Sequence, residues 1–194
     1  MATVRTFIAV EATQAVRKRA GDLIERLQVT QANVKWVGAA ELHWTLKFLG
    51  DVETRQLPEL CNAAAAAVAE LPTFEIEAAA AGAFPTAQRP RTLWLGVGRG
   101  EAEFVELHDR IQSALAMLGY REEQRRFRPH MTLGRVRHSS HGIDELGKLV
   151  LDQATFSAGE MTVSEVVVFS SRLLRQGPVY EALGRAGLKG ETSS

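Results

Sequence analysis

The sequence predicts an α+β fold built as a degenerate duplication, with one matching strand in each half. The first observation is a repeated tetrad, His-Trp-Thr-Leu at residues 43–46 and His-Met-Thr-Leu at residues 130–133. Both tetrads lie in segments whose residues favour β-strands. The second observation is the order of strand and helix patterns, β-α-β-β-α-β followed by β-α-β-α-β-β. The third is the spacing, since the tetrads begin nearly half a chain length apart in 194 residues.

The first half of the chain alternates strand and helix patterns. The strand segments are rich in β-branched and aromatic residues, whereas the helical segments repeat apolar residues on one face. Pro58 falls in the first turn of the second helix, where proline is tolerated, and Gly50 ends the first motif strand. In order, the predicted elements are a strand at 4–10, a helix at 12–28, strands at 34–37 and 42–49, a helix at 53–71 and a strand at 74–83.

The second half follows a predicted loop at residues 84–91, which contains two prolines and no periodicity. In order, it then contains a strand at 92–97, a helix at 101–118, the second motif strand at 130–136, a helix at 143–151 and strands at 161–170 and 179–183. No linker separates two independent domains. We therefore expect one domain over residues 1–184, with approximate halves 1–90 and 91–184, and a flexible tail at residues 185–194.

The overall composition limits the possible partners. The chain has 23 basic and 23 acidic residues, so its net charge is near zero. This balance argues against strong non-specific binding to long nucleic acid, although a local basic site for one phosphate remains possible. A single cysteine, Cys61, excludes an intrachain disulfide. Residues 1–10 lack the basic start and long apolar run expected of a signal peptide, and no stretch approaches the length of apolar residues expected of a membrane-spanning helix. A cytoplasmic monomer with no membrane partner is expected.

The tetrads carry groups for acid–base chemistry. Residues two apart on a strand face the same way, so His43 and Thr45 share one face, as do His130 and Thr132. Two neighbouring strands of this kind would collect two imidazoles and two hydroxyls in one small volume. Histidine can act as either proton donor or acceptor near neutral pH, and hydroxyls can stabilise phosphate oxygens. This chemistry requires no metal and no cofactor, and the residues leave open which histidine is the acid.

Other candidate substrate-binding residues surround the tetrads. Lys47 shares the catalytic face by alternation, whereas Phe48 alternates toward the core and would reach a base only if the strand twists. Arg128 adjoins the second tetrad. Arg135 would face away from substrate on an ideal strand, unless Gly134 permits a bulge. Further basic residues form a possible phosphate-attracting rim: Arg121, Arg125, Arg126 and Arg137. Aromatic residues that could stack on a base are Trp36, Phe84 and Trp94, although the apolar strand around Trp94 favours core packing for it.

The remaining histidines have weaker cases for function. His108 lies on the apolar side of the third predicted helix and is expected to be packed. His138 and His141 flank two serines in a predicted surface loop. A zinc site built from His130 and these two residues is a different interpretation, which the absence of metal-ligand spacing and of an acidic partner disfavours.

The sequence resembles the 2H phosphoesterases, specifically the bacterial RNA 2′,3′-cyclic phosphodiesterase group, also called 2′-5′ RNA ligase-like proteins. The resemblance spans nearly the whole chain, at residues 7–10, 35–37, 42–50, 91–97, 127–135, 169–170, 173, 177–180 and 183. It implies a bilobal fold of two antiparallel sheets flanked by helices, with the active site in the cleft between them. It also implies that His43 protonates the leaving 3′ oxygen, that His130 activates water and that Arg135 helps to hold the phosphate.

Three functions remain open at this point. The resemblance favours hydrolysis of RNA 2′,3′-cyclic phosphate ends to 2′-phosphomonoesters, and the reverse reaction with an RNA 5′-hydroxyl would form a 2′-5′ bond without ATP. The same histidines could instead open a small cyclic nucleotide or cleave a 2′-5′ oligoadenylate. A module that binds RNA ends without turnover is the third hypothesis, although binding alone would not need two titratable rings.

Overall fold

The computed structural model describes residues 2–137, 141–174 and 177–189. The described strands are β1 (Thr3–Glu11), β2 (Val34–Trp36), β3 (His43–Glu53), β4 (Phe74–Thr86), β5 (Arg89–Val97), β6 (His130–Val136), β7 (Ser157–Val163), β8 (Glu165–Leu174) and β9 (Gly177–Gly187). The described helices are α1 (Gln14–Leu27), α2 (Leu57–Val68), α3 (Glu101–Ala116) and α4 (Ile143–Asp152). Short 3₁₀ turns span Ala39–Glu41 and Thr54–Gln56.

The strands form an antiparallel sheet in two halves. Their order is β7-β4-β5-β6-β3-β1-β8-β9, and β2 pairs with β6. The predicted α+β class and antiparallel pairing are confirmed. The two sheets implied by the family resemblance are joined, because Trp44 of β3 pairs with Met131 of β6. This single pair connects one half of the sheet, which contains β3, to the other, which contains β6.

The predicted boundary near residue 90 does not separate these two halves of the sheet. One half contains β1, β3, β8 and β9, and the other contains β2, β4, β5, β6 and β7. Helices also pack against strands from the other half of the sequence, since α1 packs against β7 and α3 packs against β3. The chain therefore passes between the halves several times. Pairing between strands that are far apart in the chain leaves no local signal in the sequence. The position of the tetrads in the chain therefore did not reveal which strands belong to which half of the sheet.

The motif strands are anchored by their buried faces. Trp44 and Met131 are both 0% exposed, and Trp44 packs against Phe104 of α3 with ring centroids 6.1 Å apart. The opposite face of the sheet carries a smaller apolar cluster of Phe7, Ala9, Val167 and Phe169, with Tyr180 packed against it. The motif strands thus have a core face and a second face on which the tetrad histidines and threonines lie.

The predicted loop at residues 84–91 is wrong. β4 continues to Thr86 and β5 begins at Arg89, so the connection between the two strands is only two residues long. Pro85 lies opposite Pro90 in this hairpin. Because proline lacks the N–H that a strand ladder uses, prolines usually argue against a strand, and here they concealed one.

Two predictions near the C-terminus are also corrected. The predicted strand at 161–170 is two strands, because β7 pairs with β4 whereas β8 pairs with β1 and β9. The tail does not begin at residue 185, since β9 continues to Gly187 and Leu188 is only 6% exposed. Pairing with β8 orders this segment. Residues 190–194 of the predicted tail lie outside the described residues.

Candidate active site

The two tetrads lie side by side where the halves of the sheet join. Trp44 and Met131, the second residues of the tetrads, pair in antiparallel register. This register places each motif histidine beside the threonine of the other tetrad. The spacing of paired strands then sets the two histidine Cα atoms about 8 Å apart. Both rings can therefore reach one phosphate from adjacent strands.

Both tetrads end in a β-bulge at their leucine. The residues on either side of Leu46 pair with neighbouring residues of β1, and those flanking Leu133 do the same against β5, so each leucine is left unmatched. A bulge shifts the alternation of side chains by one residue. Consequently Leu46 and Lys47 are both buried, while Phe48 faces outward. The equivalent residue of the second tetrad strand, Arg135, is exposed in the same way.

His43 is held among aromatic rings and oriented by two hydrogen bonds. Its ring stacks on Phe7 at 5.0 Å between centroids, and Tyr180 meets it edge-on at 5.4 Å. Its Nδ1 donates to the backbone carbonyl of Glu41 at 2.7 Å, since a carbonyl oxygen only accepts. In the neutral ring Nε2 therefore carries the lone pair, and it accepts from the Thr45 hydroxyl at 3.1 Å.

His130 has a matching arrangement. Its Nδ1 donates to the backbone carbonyl of Arg128 at 2.7 Å, two residues earlier in the chain, as in the first tetrad. Phe84 meets its ring edge-on at 5.0 Å, and the Arg128 guanidinium lies 5.7 Å from the centre of the Phe84 ring. The carbonyl bond fixes this ring in the same tautomer, with the lone pair on Nε2.

Burial lowers the pKa of both motif histidines below the ordinary value of 6.5, although the carbonyl bonds oppose this shift. Around the second motif histidine, Arg135 and Arg128 lower the pKa further. Around the first, Arg17 lowers the pKa and the Glu11 carboxylate raises it. Both rings are therefore mainly neutral at pH 7. An anionic phosphate between the rings would favour protonation of one of them.

The histidines open into a cleft with two adjoining chambers. The first chamber, of about 240 Å³, is lined by His43. The second chamber, of about 360 Å³, is lined by His130. Four residues line both chambers: Thr45, Phe48, Thr132 and Arg135. The motif threonines and the two residues that follow the bulges thus form the boundary between the chambers.

Most of the chain matches one protein family. A family model described as the 2′-5′ RNA ligase superfamily matches residues 14–173, which include both tetrads. The protein belongs to this superfamily. It is 31% identical to the RNA 2′,3′-cyclic phosphodiesterase of Thermotoga maritima over 187 residues, which cover 96% of this chain and 97% of that protein. It is 34% identical to the protein of the same name from Methanothermobacter thermautotrophicus over 177 residues, covering 91% and 95%.

Solved structures related to this superfamily member share its fold. A Thermus thermophilus crystal structure superposes with a TM-score of 0.81 at 23% identity, covering 97% of this chain and all of that chain (100%). E. coli LigT, crystallised with 3′-AMP, superposes with a TM-score of 0.76 at 24% identity, covering 96% and 99%. At these identities the likeness shows the fold, and the family resemblance found in the sequence is confirmed.

Three of the predicted substrate-binding residues of this superfamily member line the cleft. Phe48 was expected mainly in the core, but it is 62% exposed and faces both chambers. Arg135 also reaches the cleft, and its guanidinium donates to the Thr92 hydroxyl at 3.4 Å. The bulge that turns it lies at Leu133 rather than at Gly134. Arg128 lines the second chamber.

Lys47 does not face the cleft, so its predicted role in substrate binding is wrong. The bulge at Leu46 turns it into the interior, where it is 3% exposed. Its ammonium donates to the backbone carbonyl of Arg121 at 2.7 Å and to Oε1 of Gln112 at 3.0 Å. The same Gln112 oxygen accepts from the backbone N–H of Glu123 at 2.9 Å. Lys47 therefore ties β3 and α3 to the segment that carries the arginines of the second chamber.

Sequence reasoning missed several residues of the first chamber: Arg5, Glu41, Ser171 and Tyr180. Tyr180 falls in a segment that carried the family resemblance, but nothing local indicated that β9 would bring it near His43. Burial raises the pKa of Tyr180, the Glu41 carboxylate adds to this shift and Arg135 opposes it. The Tyr180 hydroxyl is therefore a hydrogen-bond donor throughout the physiological pH range.

The remaining predictions have mixed outcomes. Of the three aromatic candidates for stacking on a base, Phe84 lines the cleft, whereas Trp36 packs beside Gly134 and Trp94, for which the sequence favoured core packing, lies beside Phe84. His108 is 2% exposed, as predicted. His138 lies outside the described residues.

Two further features of the described part of the chain concern metal ions and membranes. That part of the chain holds no group of three or more His, Cys, Asp or Glu side chains that could bind a metal ion. None of its helices is long and apolar enough to cross a membrane. The expected cytoplasmic location and monomeric state stay predictions.

Proposed function

We propose that this protein hydrolyses RNA 2′,3′-cyclic phosphate ends to 2′-phosphomonoesters by two-histidine acid–base catalysis. The observation that carries the proposal is the paired arrangement of the tetrads. Each histidine donates Nδ1–H to a carbonyl two residues earlier, which leaves Nε2 available for proton transfer in a shared cleft. The relatives named RNA 2′,3′-cyclic phosphodiesterase supply the substrate class.

In this mechanism His130 is the general base and His43 is the general acid. His130 Nε2 takes a proton from water as the water oxygen forms a bond to phosphorus. The bond between phosphorus and the 3′ oxygen breaks, and His43 Nε2–H gives its proton to that oxygen. This assignment follows the family resemblance, because nearby arginines disfavour the protonated form of both rings, Arg17 at His43 and two arginines at His130.

Substrate binding prepares the acid. Because burial lowers the pKa of His43, its protonation accompanies the arrival of the phosphate anion. The hydroxyls of Thr45 and Thr132 and the guanidinium of Arg135 lie where both chambers meet. There they donate hydrogen bonds to the non-bridging phosphate oxygens, on which negative charge increases in the transition state.

The two chambers suit different parts of the reaction, the first the nucleoside and the second the attacking nucleophile. The exposed ring of Phe48 and the partly buried ring of Tyr180 suit the first chamber to a nucleoside. The second chamber adjoins the base His130, and at about 360 Å³ it has room for more than one water molecule. An RNA 5′-hydroxyl bound there would replace water as the nucleophile, so 2′-5′ ligation without ATP is the second reaction we propose.

The test is product mapping in the presence of a chelator. A short RNA oligonucleotide and a mononucleotide, each ending in a 2′,3′-cyclic phosphate, are incubated with the protein. The expected product of both is the 2′-phosphate and not the 3′-phosphate. Adding an RNA with a 5′-hydroxyl tests ligation.

Each outcome separates one hypothesis from the others. Turnover of the mononucleotide but not of the oligonucleotide would favour the small-substrate hypothesis. Tight binding of the oligonucleotide without any product would favour a binding module and would overturn the proposal. A 3′-phosphate product would mean that the 2′ oxygen leaves in place of the 3′ oxygen, which would contradict the mechanism.

A further inference from the structure

The arginines of this protein fall into two groups. Seven form ion pairs with carboxylates: Arg17, Arg19, Arg55, Arg99, Arg110, Arg172 and Arg185. Within residues 2–137, 141–174 and 177–189, nine of the arginines without such a pair line the cleft chambers or two surface depressions beside them: Arg5, Arg89, Arg91, Arg121, Arg125, Arg126, Arg128, Arg135 and Arg137. Most of the arginines outside ion pairs in the described residues therefore line the cleft or these two depressions.

Three of these arginines form a groove outside the cleft. Arg89 and Arg91 of β5 and Arg137, which follows β6, line an open depression of about 860 Å³ together with Gln88, Val136 and Ile143. All three arginines are exposed. No carboxylate is among these lining residues. Asp144 and Glu145 begin the adjacent helix α4, yet neither forms an ion pair with the three arginines in the described part of the chain.

Arg137 of the groove lies near the cleft residue Arg135, although the groove and the cleft share no lining residue. The Arg135 guanidinium donates to Thr92 of β5, whereas Arg91, the preceding residue of that strand, faces the opposite way. Arg137 lies two residues beyond Arg135, about 7 Å along an extended chain and on the same face. The backbone N–H of Arg137 donates to the carbonyl of Asn33 at 2.7 Å, which extends the pairing of β6 with β2. A row of positive charge thus leads from the phosphate site to the groove.

A fourth basic residue adds to this row at an electrostatic cost. Lys35 of β2 pairs directly with Arg135 of β6, and both side chains are exposed. Directly opposed residues of an antiparallel pair project on one face, so like charges there destabilise the sheet. An anion bound across Lys35 and Arg135 would remove this repulsion. The arrangement therefore suits a ligand that carries repeated negative charge.

We propose that the groove lined by Arg89, Arg91 and Arg137 binds the phosphodiester backbone of the RNA on the 5′ side of its cyclic end. This inference rests on the proposed function, because it extends the path of the same substrate. Its chemical requirement is a polyanion with one charge per nucleotide, which contacts the arginines without regard to base sequence. The preference for RNA chains over mononucleotides would then come from outside the catalytic cleft.

The test compares two substrates across a salt series. The value of kcat/KM is measured for a mononucleotide 2′,3′-cyclic phosphate and for a short oligonucleotide with the same end. Three phosphate contacts to a single strand predict that raising salt from 50 mM to 200 mM lowers the oligonucleotide value about 20-fold more than the mononucleotide value. The triple variant Arg89→Gln, Arg91→Gln and Arg137→Gln is expected to lose this difference.

A second triple variant controls for net charge. Arg19→Gln, Arg55→Gln and Arg110→Gln removes the same charge from ion pairs elsewhere on the surface, and it is expected to keep the difference. Circular dichroism and Tm confirm that both variants fold, and the three single groove variants are tested if the triple variant does not. If the groove variants and the control give the same ratio of oligonucleotide to mononucleotide kcat/KM, the inference is overturned. A groove that serves a protein partner would give this result.

Binding separates failure of the inference from failure of the proposed function. Fluorescence anisotropy of a labelled oligonucleotide is measured over the same salt series, and it requires no turnover. If the wild-type protein hydrolyses neither substrate, a salt-dependent affinity that the groove variant loses still supports the groove. If it hydrolyses both and the groove variant binds as tightly as wild type, only the inference fails.

Discussion

Phe48 and Arg135 occupy equivalent positions in the two halves of the candidate active site. Each lies five residues after its motif histidine, beyond a leucine bulge, and each lines both chambers of the cleft. The same change in strand register turns an aromatic ring from one half and a guanidinium from the other half toward the cleft. The pseudo-symmetric backbone therefore carries an asymmetric pair, in which one side chain suits a base and the other suits a phosphate.

Phe48→Ala is expected to weaken substrate binding more than catalysis. Stacking of one base on an aromatic ring contributes about 1–3 kcal/mol, so KM should rise roughly tenfold while kcat changes little. Phe48→Trp should preserve the stacking. Met117→Ala removes another exposed apolar side chain, 87% exposed and just after the last residue of α3, and serves as the control. A change in kcat with constant KM would show that Phe48 acts in the chemical step.

Arg135→Ala is expected to lower kcat as well as kcat/KM. Loss of one donor to developing charge typically costs about 10²–10³ in rate. Arg135→Lys should recover only part of this loss, because an ammonium cannot donate two parallel hydrogen bonds. Steady-state kinetics on the mononucleotide cyclic phosphate measure both effects. Full activity of Arg135→Ala would remove this residue from the phosphate site.

His43→Ala and His130→Ala should each lower kcat by about 10²–10⁴. The double variant should be much less impaired than the product of the two effects, since the histidines act as one unit. An analogue with sulfur in place of the 3′ bridging oxygen distinguishes their roles, because a thiolate can leave without a proton. His43→Ala should recover on this analogue and His130→Ala should not. The opposite pattern would show that His130 is the general acid and His43 the general base.

The pH profile of kcat/KM is expected to be bell-shaped, with its maximum below pH 6.5. Catalysis requires one protonated and one neutral histidine, and burial lowers the pKa of both below 6.5 in the free protein. The profile of kcat should extend to higher pH, because bound phosphate raises the pKa of the acid. A kcat/KM maximum well above pH 7 would contradict this assignment.

The same pKa shifts predict how stability depends on pH. An unfolded chain binds protons at its histidines near pH 6.5, whereas the folded protein resists protonation until lower pH. The stability that comes from burying the neutral rings is therefore complete above pH 6.5 and is lost as pH falls through the lowered folded-state pKa values. Urea unfolding of the wild type and of a His43→Asn, His130→Asn variant, from pH 5 to pH 8, should show a smaller slope in the variant.

Lys47→Met is expected to raise KM and lower stability with a smaller effect on kcat. It removes the charged donor of the Arg121 carbonyl and leaves Gln112 Oε1 with only the Glu123 N–H, and loss of a hydrogen bond to a charged group costs about 1.5–3 kcal/mol. The arginine-bearing segment of the second chamber would then lose its anchor. Lys18→Met, at an exposed position of α1, is the control. A large fall in kcat with unchanged Tm would instead indicate that Lys47 reaches the substrate.

Lys47 and Phe48 show where prediction from the sequence succeeded and failed. Alternation along the strand assigned His43 and Thr45 to one face, because no irregularity lies between them. Beyond Thr45 the same rule assigned Lys47 to the cleft and Phe48 to the core, and both assignments were wrong because Leu46 is bulged against β1. A bulge depends on how two strands pair, and that pairing involves residues far away in the chain.

The sequence by itself determined which residues carry the acid–base groups and that each tetrad lies on a strand. Those features depend on local residue preferences and on two-residue periodicity. Only the tertiary structure decided that Trp44 pairs with Met131 and brings the tetrads together. It also decided that Phe48 and Arg135 turn toward the cleft while Lys47 turns away, since strand register is set by long-range contacts that no local pattern records.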